Sequence, residues 1–372
     1  MVTKLLWLYL LNGKTTDNLI EQEKEITDNP NRREHDMLLS VGEQITISKV
    51  CMCLKELDYD AVSLLGWQVP IITNNIYGNA RIECIGNKRI QQELKNNNIV
   101  VIAGFQGVTE DGEITTLGRG GSDTTAVAIA AAIKATRCDI YTDVNGIYSA
   151  DPKIVKDVKK IDSISYDEML ELSSLGAKVL HNRCVEIGKK YNLPICVKST
   201  FEKDSIGTIL KENDVILKSR IAGIAKDDNI SKITLIRKEN SNIKIDNVFK
   251  LLSENDISVD TIVHNFDDQI IKDISFTVSK DNLNKVLEVL NSNLEKLYLQ
   301  KILTNEKLSK ISIVGIGMVS NPEICSNIFE ILYENNINIY TISTSETKIS
   351  ILVNKDISEN ILNRIHEKLI NI

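Results

Sequence analysis

Glycine, arginine and acid crowd into TTLGRGGSDTT, residues 115–125. Three glycines surround Arg119, and Ser122 and Asp123 follow before a nearly unbroken Ala/Val/Ile run. A glycine turn that opens a helix aims backbone N–H groups and a positive dipole end at one spot, where anions bind. Gly118, Gly120 and Gly121 permit a close backbone approach, and Ser122 or Asp123 can cap the helix. The Arg119 fork suits a carboxylate or a phosphate. The plain alternative is a strand-to-helix turn with a solvated arginine. A second glycine turn, GFQG at 104–107, follows an apolar run. Two such turns at strand C-termini mark where open α/β sheets bind ligands.

The elements that must position these turns alternate. Apolar runs Ala61–Leu65, Ile99–Ala103, Cys138–Thr142 and Leu193–Val197 read as buried strands. Helical stretches lie at Thr46–Leu57, Ile90–Asn96, Asp123–Thr136, Ser165–Leu172 and Ala177–Tyr191. This alternation predicts an α/β domain over residues 1–210, a mostly parallel sheet sandwiched by helices. A charged linker with one short strand is expected at 211–229. The remainder repeats internally. LLSENDISVDTI (251–262) returns as ILYENNINIYTI (331–342), ISKITLI (230–236) as LSKISIV (308–314), and DISFTV (273–278) as KISILV (348–353). Two βαββαβ modules, 230–300 and 301–372, are the expected reading.

Bulk properties narrow the partners. The 372 residues are 42% hydrophobic and 26% charged, with a formal charge of −7. An acidic chain without a Lys/Arg block is not expected to bind nucleic acid. The leader-like run Leu5–Leu11 is too short to span a membrane, so no membrane partner is expected. The seven cysteines are scattered without a C-x-x-C pair, which reads as reduced thiols in a cytoplasmic protein. Neither they nor the four histidines form a metal-ligand pattern.

LLSVGE (38–43), GFQG, TTLGRGGSDTTA (115–126), YTDVNGIYSADPK (141–153) and GAKVLH (176–181) resemble, in order, the successive motifs of the aspartokinases. The doubled modules resemble that family's ACT regulatory pair. The resemblance implies an amino-acid-kinase fold and the reaction of ATP with L-aspartate, giving ADP and 4-phospho-L-aspartate. That reaction is the entry to lysine, threonine and methionine synthesis. Positioning and electrostatic stabilisation carry most of such a transfer.

The resemblance assigns Arg119 and Ser122 to the substrate α-carboxylate, and Glu43 and Asp123 to its ammonium. Thr15 or Thr16, with Thr16 preferred, resembles the family threonine that touches aspartate. Gly120, Gly121, Thr142, Asp143, Gly146, Tyr148, Asp151 and Lys178 fall to the nucleotide, with Mg2+ riding on its phosphates rather than in a protein cage. GIGMVSNPEICSNIF (315–329) resembles an ACT effector loop, with Met318, Ser320, Asn338 and Ile339 as contacts for lysine and/or threonine. The first module, RKENSNIKIDNVF at 237–249, lacks the usual Gly/Pro turn. A homodimer through the ACT modules is expected. A glutamate or carbamate kinase is disfavoured by LLSVGE and the ACT pair.

The front departs from the family. Aspartokinases open with a strand and a Lys-Phe/Tyr-Gly-Gly turn, whereas this chain opens MVTKLLWLYLLNGKTTDNLI. One permitted coding of Met1–Leu10, read from its third nucleotide, gives Gly-Tyr-Lys-Val-Val-Val-Val-Val-Ser. The expectation is therefore that residues 1–11 are an out-of-frame reading, the alternative being a genuine apolar strand at Leu5–Leu11. Without the turn's lysine, impaired activity is expected, and a catalytically inactive, amino-acid-binding regulatory subunit is the rival reading.

Overall fold

The computed structural model describes residues 6–9, 15–175, 179–202, 204–212, 220–238, 244–267, 270–318 and 321–370. Two compact units share the chain. The described residues within Met1–Ile147, Lys160–Ser174 and Lys178–Val215 form the first, and those within Tyr148–Lys159, Leu175–Ala177 and Ile216–Ile372 the second.

Along the first stretch run β1 (Leu6–Tyr9), α1 (Thr15–Ile26), α2 (Arg32–Glu56), β2 (Ala61–Leu64), β3 (Ile71–Thr73) and β4 (Ile82–Ile85). Next come α3 (Lys88–Lys95), β5 (Ile99–Ala103), β6 (Gln106–Val108), β7 (Ile114–Thr116), α4 (Gly121–Ala132) and β8 (Cys138–Thr142). The short β9 (Ile147–Tyr148) and β10 (Lys160–Ile161) pair with each other. They are followed by β11 (Ser163–Ile164), α5 (Tyr166–Ser174), α6 (Asn182–Tyr191), β12 (Ile195–Ser199) and β13 (Thr208–Leu210).

Val100, Val101, Ile102 and Ala103 of β5 are fully buried because helices cover both faces of their sheet. Val100 and Ile102 pack with Ile90 and Leu94 of α3 and Ile129 of α4. Val101 and Ala103 pack with Ile47 and Cys51 of α2. The strand pairs in parallel with β2 on one side and β1 on the other, Leu6 opposite Val100. An apolar strand at the front therefore does occupy a sheet position. The rest of the Met1–Leu11 expectation lies outside the described residues. A second sheet, β11-β13-β12-β8, carries the parallel pair β8/β12, and a third, β4-β3-β6-β7, holds the short strands around the GFQG turn.

Helix α2 starts at Arg32, well before the expected Thr46. The Asn31 side chain caps it by accepting from the Arg33 N–H at 3.0 Å. By length and composition α2 could cross a membrane. Its inner face, however, carries the buried polar residues Asp36, Ser40 and Glu43, which have protein partners.

The second unit contains β14 (Arg220–Asp227), β15 (Ser231–Arg237), α7 (Ile245–Glu254), β16 (Ile262–Asp267), β17 (Ile270–Val278) and α8 (Lys280–Asn291). It continues with β18 (Leu299–Asn305), β19 (Leu308–Ile316), α9 (Pro322–Glu334), β20 (Thr341–Thr344), β21 (Lys348–Asn354) and α10 (Lys355–Ile370). Two four-stranded antiparallel sheets result, β16-β17-β15-β18 and β14-β19-β21-β20. The repeated segments fall on equivalent strands, β15 with β19 and β17 with β21. The modules are interlocked: β14, read from the sequence as a strand in a linker, is an edge of the second module's sheet. The 300/301 boundary runs through β18, which belongs to the first. One segment inside the expected 1–210 domain, the hairpin Tyr148–Lys159, groups with the second unit. Its Ala150 and Val155 enter the core around Ile311, Ile351 and Ile365.

Candidate active site

Glu43 lies two turns along α2 from Asp36, on the buried face. Only 1% of it is exposed. Its Oε1 accepts a hydrogen bond from Ser122 Oγ at 3.4 Å, whereas Oε2 is buried without a partner. Burial pushes this carboxyl up to about 8, against the smaller opposing effect of the Ser122 bond. Asp123, next to Ser122 in the first turn of α4, is pushed up to about 6 by burial. The Asp123 carboxyl lies toward the Cys138 and Cys184 thiols, which its charge helps to push up, while Glu43 meets α4 through Ser122.

The turn ahead of α4 has the shape that its glycines allow. Gly118 and Gly120 have φ of +73° and +67°, the left-handed region that side chains resist. A Cβ on Gly120 would lie 2.3 Å from His181 Cβ, and one on Gly118 would lie 2.9 Å from the Gly78 carbonyl. Between them Arg119 is exposed, and among the described residues its side chain has no partner. The GFQG turn locks in beside it. Phe105, at φ +66°, donates its N–H to Thr125 Oγ1 (3.2 Å) and accepts at its carbonyl from Leu117 N–H (2.9 Å). Gln106 Nε2 donates to the Ser40 carbonyl of α2 at 3.0 Å. The residues Glu43, Ser122, Asp123, Gly120, Gly121 and Arg119 thus gather where α2 and α4 meet.

A separate turn follows β8. Thr142 Oγ1 donates to Asp143 Oδ1 at 3.0 Å, and the Thr142 carbonyl accepts from Thr200 N–H and Oγ1. Asn145 is tied to Glu202 and Ser205. Gly146, at φ +109°, leaves room for Thr208 Oγ1, which a Cβ would approach to 2.6 Å and which accepts from Ile147 N–H. Tyr148 and Asp151, expected in the same loop, belong to the second unit. Asp151 Oδ1 there accepts from the Lys153 N–H. Lys178 and Ser320 lie outside the described residues, and Thr16 is half-buried in the first turn of α1.

Of the expected effector contacts, Met318 is completely buried in the second module's core, its N–H donating to the Glu346 carbonyl. Asn338 and Ile339 are exposed between α9 and β20. Sequence reasoning missed Asp36, Gln106 and Arg183. Gln106 lies inside the GFQG motif without having been given a role, and Asp36 and Arg183 lie two residues outside LLSVGE and GAKVLH; the spacing of Asp36, Ser40 and Glu43 on one helix face was the signal for the first of these two.

Comparison with known proteins follows the same division. The Amino acid kinase family model matches residues 12–199 and the ACT domain model residues 311–369. An aspartokinase of Bacillus sp. (strain MGA3) is 47% identical over 92% of this chain and 83% of its own length. Aspartokinase 2 of Bacillus subtilis (strain 168) is 46% identical over 95% and 87%. Among solved structures, E. coli aspartokinase III in complex with aspartate and ADP superposes with a TM-score of 0.80 at 26% identity, covering 95% of this chain and 80% of that one. The chain belongs to the aspartokinase family.

Proposed function

We propose that the chain transfers the γ-phosphoryl group of ATP to the side-chain carboxylate of L-aspartate, giving ADP and 4-phospho-L-aspartate. One observation carries this reading at the level of residues: Glu43 holds a buried carboxyl oxygen with no partner beside Ser122 at the start of α4. A substrate ammonium supplies the missing cation. With Asp123 next to Ser122, the ammonium meets two acids, while Arg119 takes the α-carboxylate bidentately. Thr16 touches the same substrate.

The acceptor carboxylate is ionised at neutral pH, so its oxygen attacks phosphorus without a general base. As the new O–P bond forms, the bond to the β–γ bridging oxygen breaks and ADP leaves with its electron pair. The protein's contribution is to hold two anionic reactants in line against their repulsion. Gly120 and Gly121 let the phosphates approach the backbone in this reading, the Gly121 N–H itself closing the turn on the Gly118 carbonyl at 3.0 Å. The turn of Thr142, Asp143 and Gly146 holds the nucleotide, with Tyr148, Asp151 and Lys178 as the further contacts of this reading. In this reading magnesium is carried by the triphosphate rather than in a protein cage. When bound, that ion neutralises charge on the β- and γ-oxygens.

Lysine, with or without threonine, is the proposed feedback ligand of the ACT modules, and a homodimer through those modules the proposed assembly. E. coli aspartokinase III, 26% identical, has been solved in complex with lysine and aspartate, which supports the first point. The free cysteines, four of them buried, suit a reducing cytoplasm.

Coupled ADP release tests the reaction. The expected result is turnover with L-aspartate that is absent with L-glutamate and, at low aspartate concentration, strongly reduced by Arg119→Ala. ADP release that ignores L-aspartate sinks the reading. Equilibrium dialysis with lysine and with threonine tests the effector separately. Binding of either one supports the ACT reading, and binding of neither removes it.

A further inference from the structure

Arg119 is held by nothing of its own. It is exposed, has no side-chain partner among the described residues, and sits between two glycines with positive φ. A glycine-flanked turn is the part of a chain with most backbone freedom to lose. Something else must fix where the guanidinium stands, and two buried or half-buried charged side chains reach the turn from different helices.

From α2, the fully buried Asp36 accepts at Oδ2 from the N–H groups of Thr116 (2.7 Å) and Gly78 (2.9 Å), and at Oδ1 from Thr116 Oγ1 (2.8 Å). From α6, Arg183 donates through one terminal nitrogen to the carbonyls of Leu117 (3.0 Å) and Ala80 (3.2 Å), and through the other to Asn79 Oδ1 (2.5 Å). Thr116 and Leu117 are the two residues that lead into Gly118-Arg119-Gly120. Asp36 binds N–H groups, Arg183 binds carbonyls, and both also grip the 78–80 segment, whose Gly78 carbonyl abuts Gly118. Asp36 rides on the helix that carries Glu43, seven residues on, so one rigid element sets both the cation-binding acid and the anion-binding turn.

We propose that Asp36 and Arg183 are positioning residues for the aspartate site, clamping the Arg119 turn at its donor and acceptor groups respectively. The inference rests on the assignment of Arg119 to the substrate carboxylate. Its signature is a split between substrates: loosening the clamp raises KM for aspartate and leaves KM for ATP in place, whereas a mere loss of folded enzyme lowers kcat alone.

The test is steady-state kinetics against both substrates, with melting temperatures, for Asp36→Ala, Asp36→Asn, Thr116→Val and Arg183→Lys beside Arg119→Ala. Asp36→Ala is expected to raise KM for aspartate by about tenfold or more. Asp36→Asn, which still offers an oxygen to both N–H groups and an amide to the Thr116 hydroxyl, is expected to recover it to within about threefold. Arg183→Lys keeps the charge without the fork and is expected to cost about tenfold. Thr116→Val, which removes one hydroxyl bond without changing volume, is expected to cost about threefold. If Asp36→Ala does not fold, the Thr116 and Arg183 variants carry the test. A wild-type KM for aspartate in both of those overturns the inference, as does an equal rise in both substrates' KM. An unchanged KM for aspartate in Arg119→Ala instead removes the underlying assignment and leaves the clamp without a purpose.

Discussion

Ser122 Oγ donates to Glu43 Oε1 across 3.4 Å while Glu43 Oε2, equally buried, has no partner. A carboxyl half-satisfied in this way favours its proton, and burial accordingly raises it to about 8. Its protonation therefore links stability, substrate binding and pH.

The stability consequence has a definite sign. The folded-state value of Glu43 lies above the ordinary 4.5, so between about 4.5 and about 8 the folded chain binds the extra proton and loses stability as pH rises. Asp123 acts likewise between 3.8 and about 6. Glu43→Gln is isosteric and cannot ionise. Its melting temperature, relative to the parent, is expected to climb from pH 5 to pH 8, with a gain of about 1–3 kcal/mol after allowing for relaxation around the charge. Calorimetry of the ligand-free proteins across that range decides it. Parallel curves would show that Glu43 is ionised throughout.

Substrate binding must reverse the preference. An ammonium placed at Glu43 favours the carboxylate, so at pH 6.5–7 aspartate binding is expected to release a proton, approaching about one per site. Affinity for aspartate then rises with pH and levels off above about 8. Titration calorimetry in two buffers of different ionisation enthalpy measures the released proton directly. In Glu43→Gln the buffer dependence is expected to vanish, and KM for aspartate to rise about 10- to 100-fold with the loss of a charge-assisted bond.

Gly120 offers a steric test. A methyl there lies 2.3 Å from His181 Cβ, and the +67° φ resists any side chain. Gly120→Ala is expected to lose about 1–3 kcal/mol of stability. Activity is expected to fall by about a hundredfold, because the turn that carries Arg119 must shift. Adding His181→Gly, which takes away the Cβ itself, removes the collision but not the backbone strain, so the double variant is expected to recover part of the loss. Recovery to parental kcat/KM would mean that φ is unimportant; no recovery would mean that the collision is.

How far the sequence disclosed this arrangement follows from which constraints are local. The GRGG turn was legible because glycine takes its φ values without the steric cost that other residues meet there. Strand β5 was legible because a run of Val and Ile covered on both faces needs no alternation. The first half of α2 was not, since Asp36, Ser40 and Glu43 place polar groups on the buried face and erase the helical period. Sheet membership is a long-range property: the pattern marks β14 and β18 as strands without saying which module each completes. For the same reason a loop motif, TDVNGIYSADP, gave no sign that Tyr148 and Asp151 group with the second unit while Thr142–Gly146 stay in the first.

That division makes the hairpin after the nucleotide turn a place to probe. Ser149 Oγ accepts from Lys159 N–H (2.9 Å) and shares a hydrogen bond with His366 Nε2 at 2.8 Å, and the Ser149 carbonyl accepts from Ile224 N–H. Burial, aided by Lys159 and opposed by Asp157, lowers His366 below its usual 6.5. A lowered histidine stabilises the fold above 6.5 and withdraws that stability as pH falls toward the folded-state value, where the buried ring must take up a charge beside Lys159. Protection of residues 149–159 against hydrogen exchange, taken relative to the intrinsic rate at each pH, is therefore expected to fall below pH 6.5 in the parent protein. In His366→Ala and Ser149→Ala protection above pH 6.5 is expected to be about five- to tenfold lower than the parent's, with the difference closing at lower pH. Because Thr142–Gly146 continues into this hairpin through unbroken chain, KM for ATP is expected to rise about threefold in both variants. Protection in either variant that still depends on pH as the parent's does would place the responsive group elsewhere, with Asp157 the nearest acid to test by Asp157→Asn.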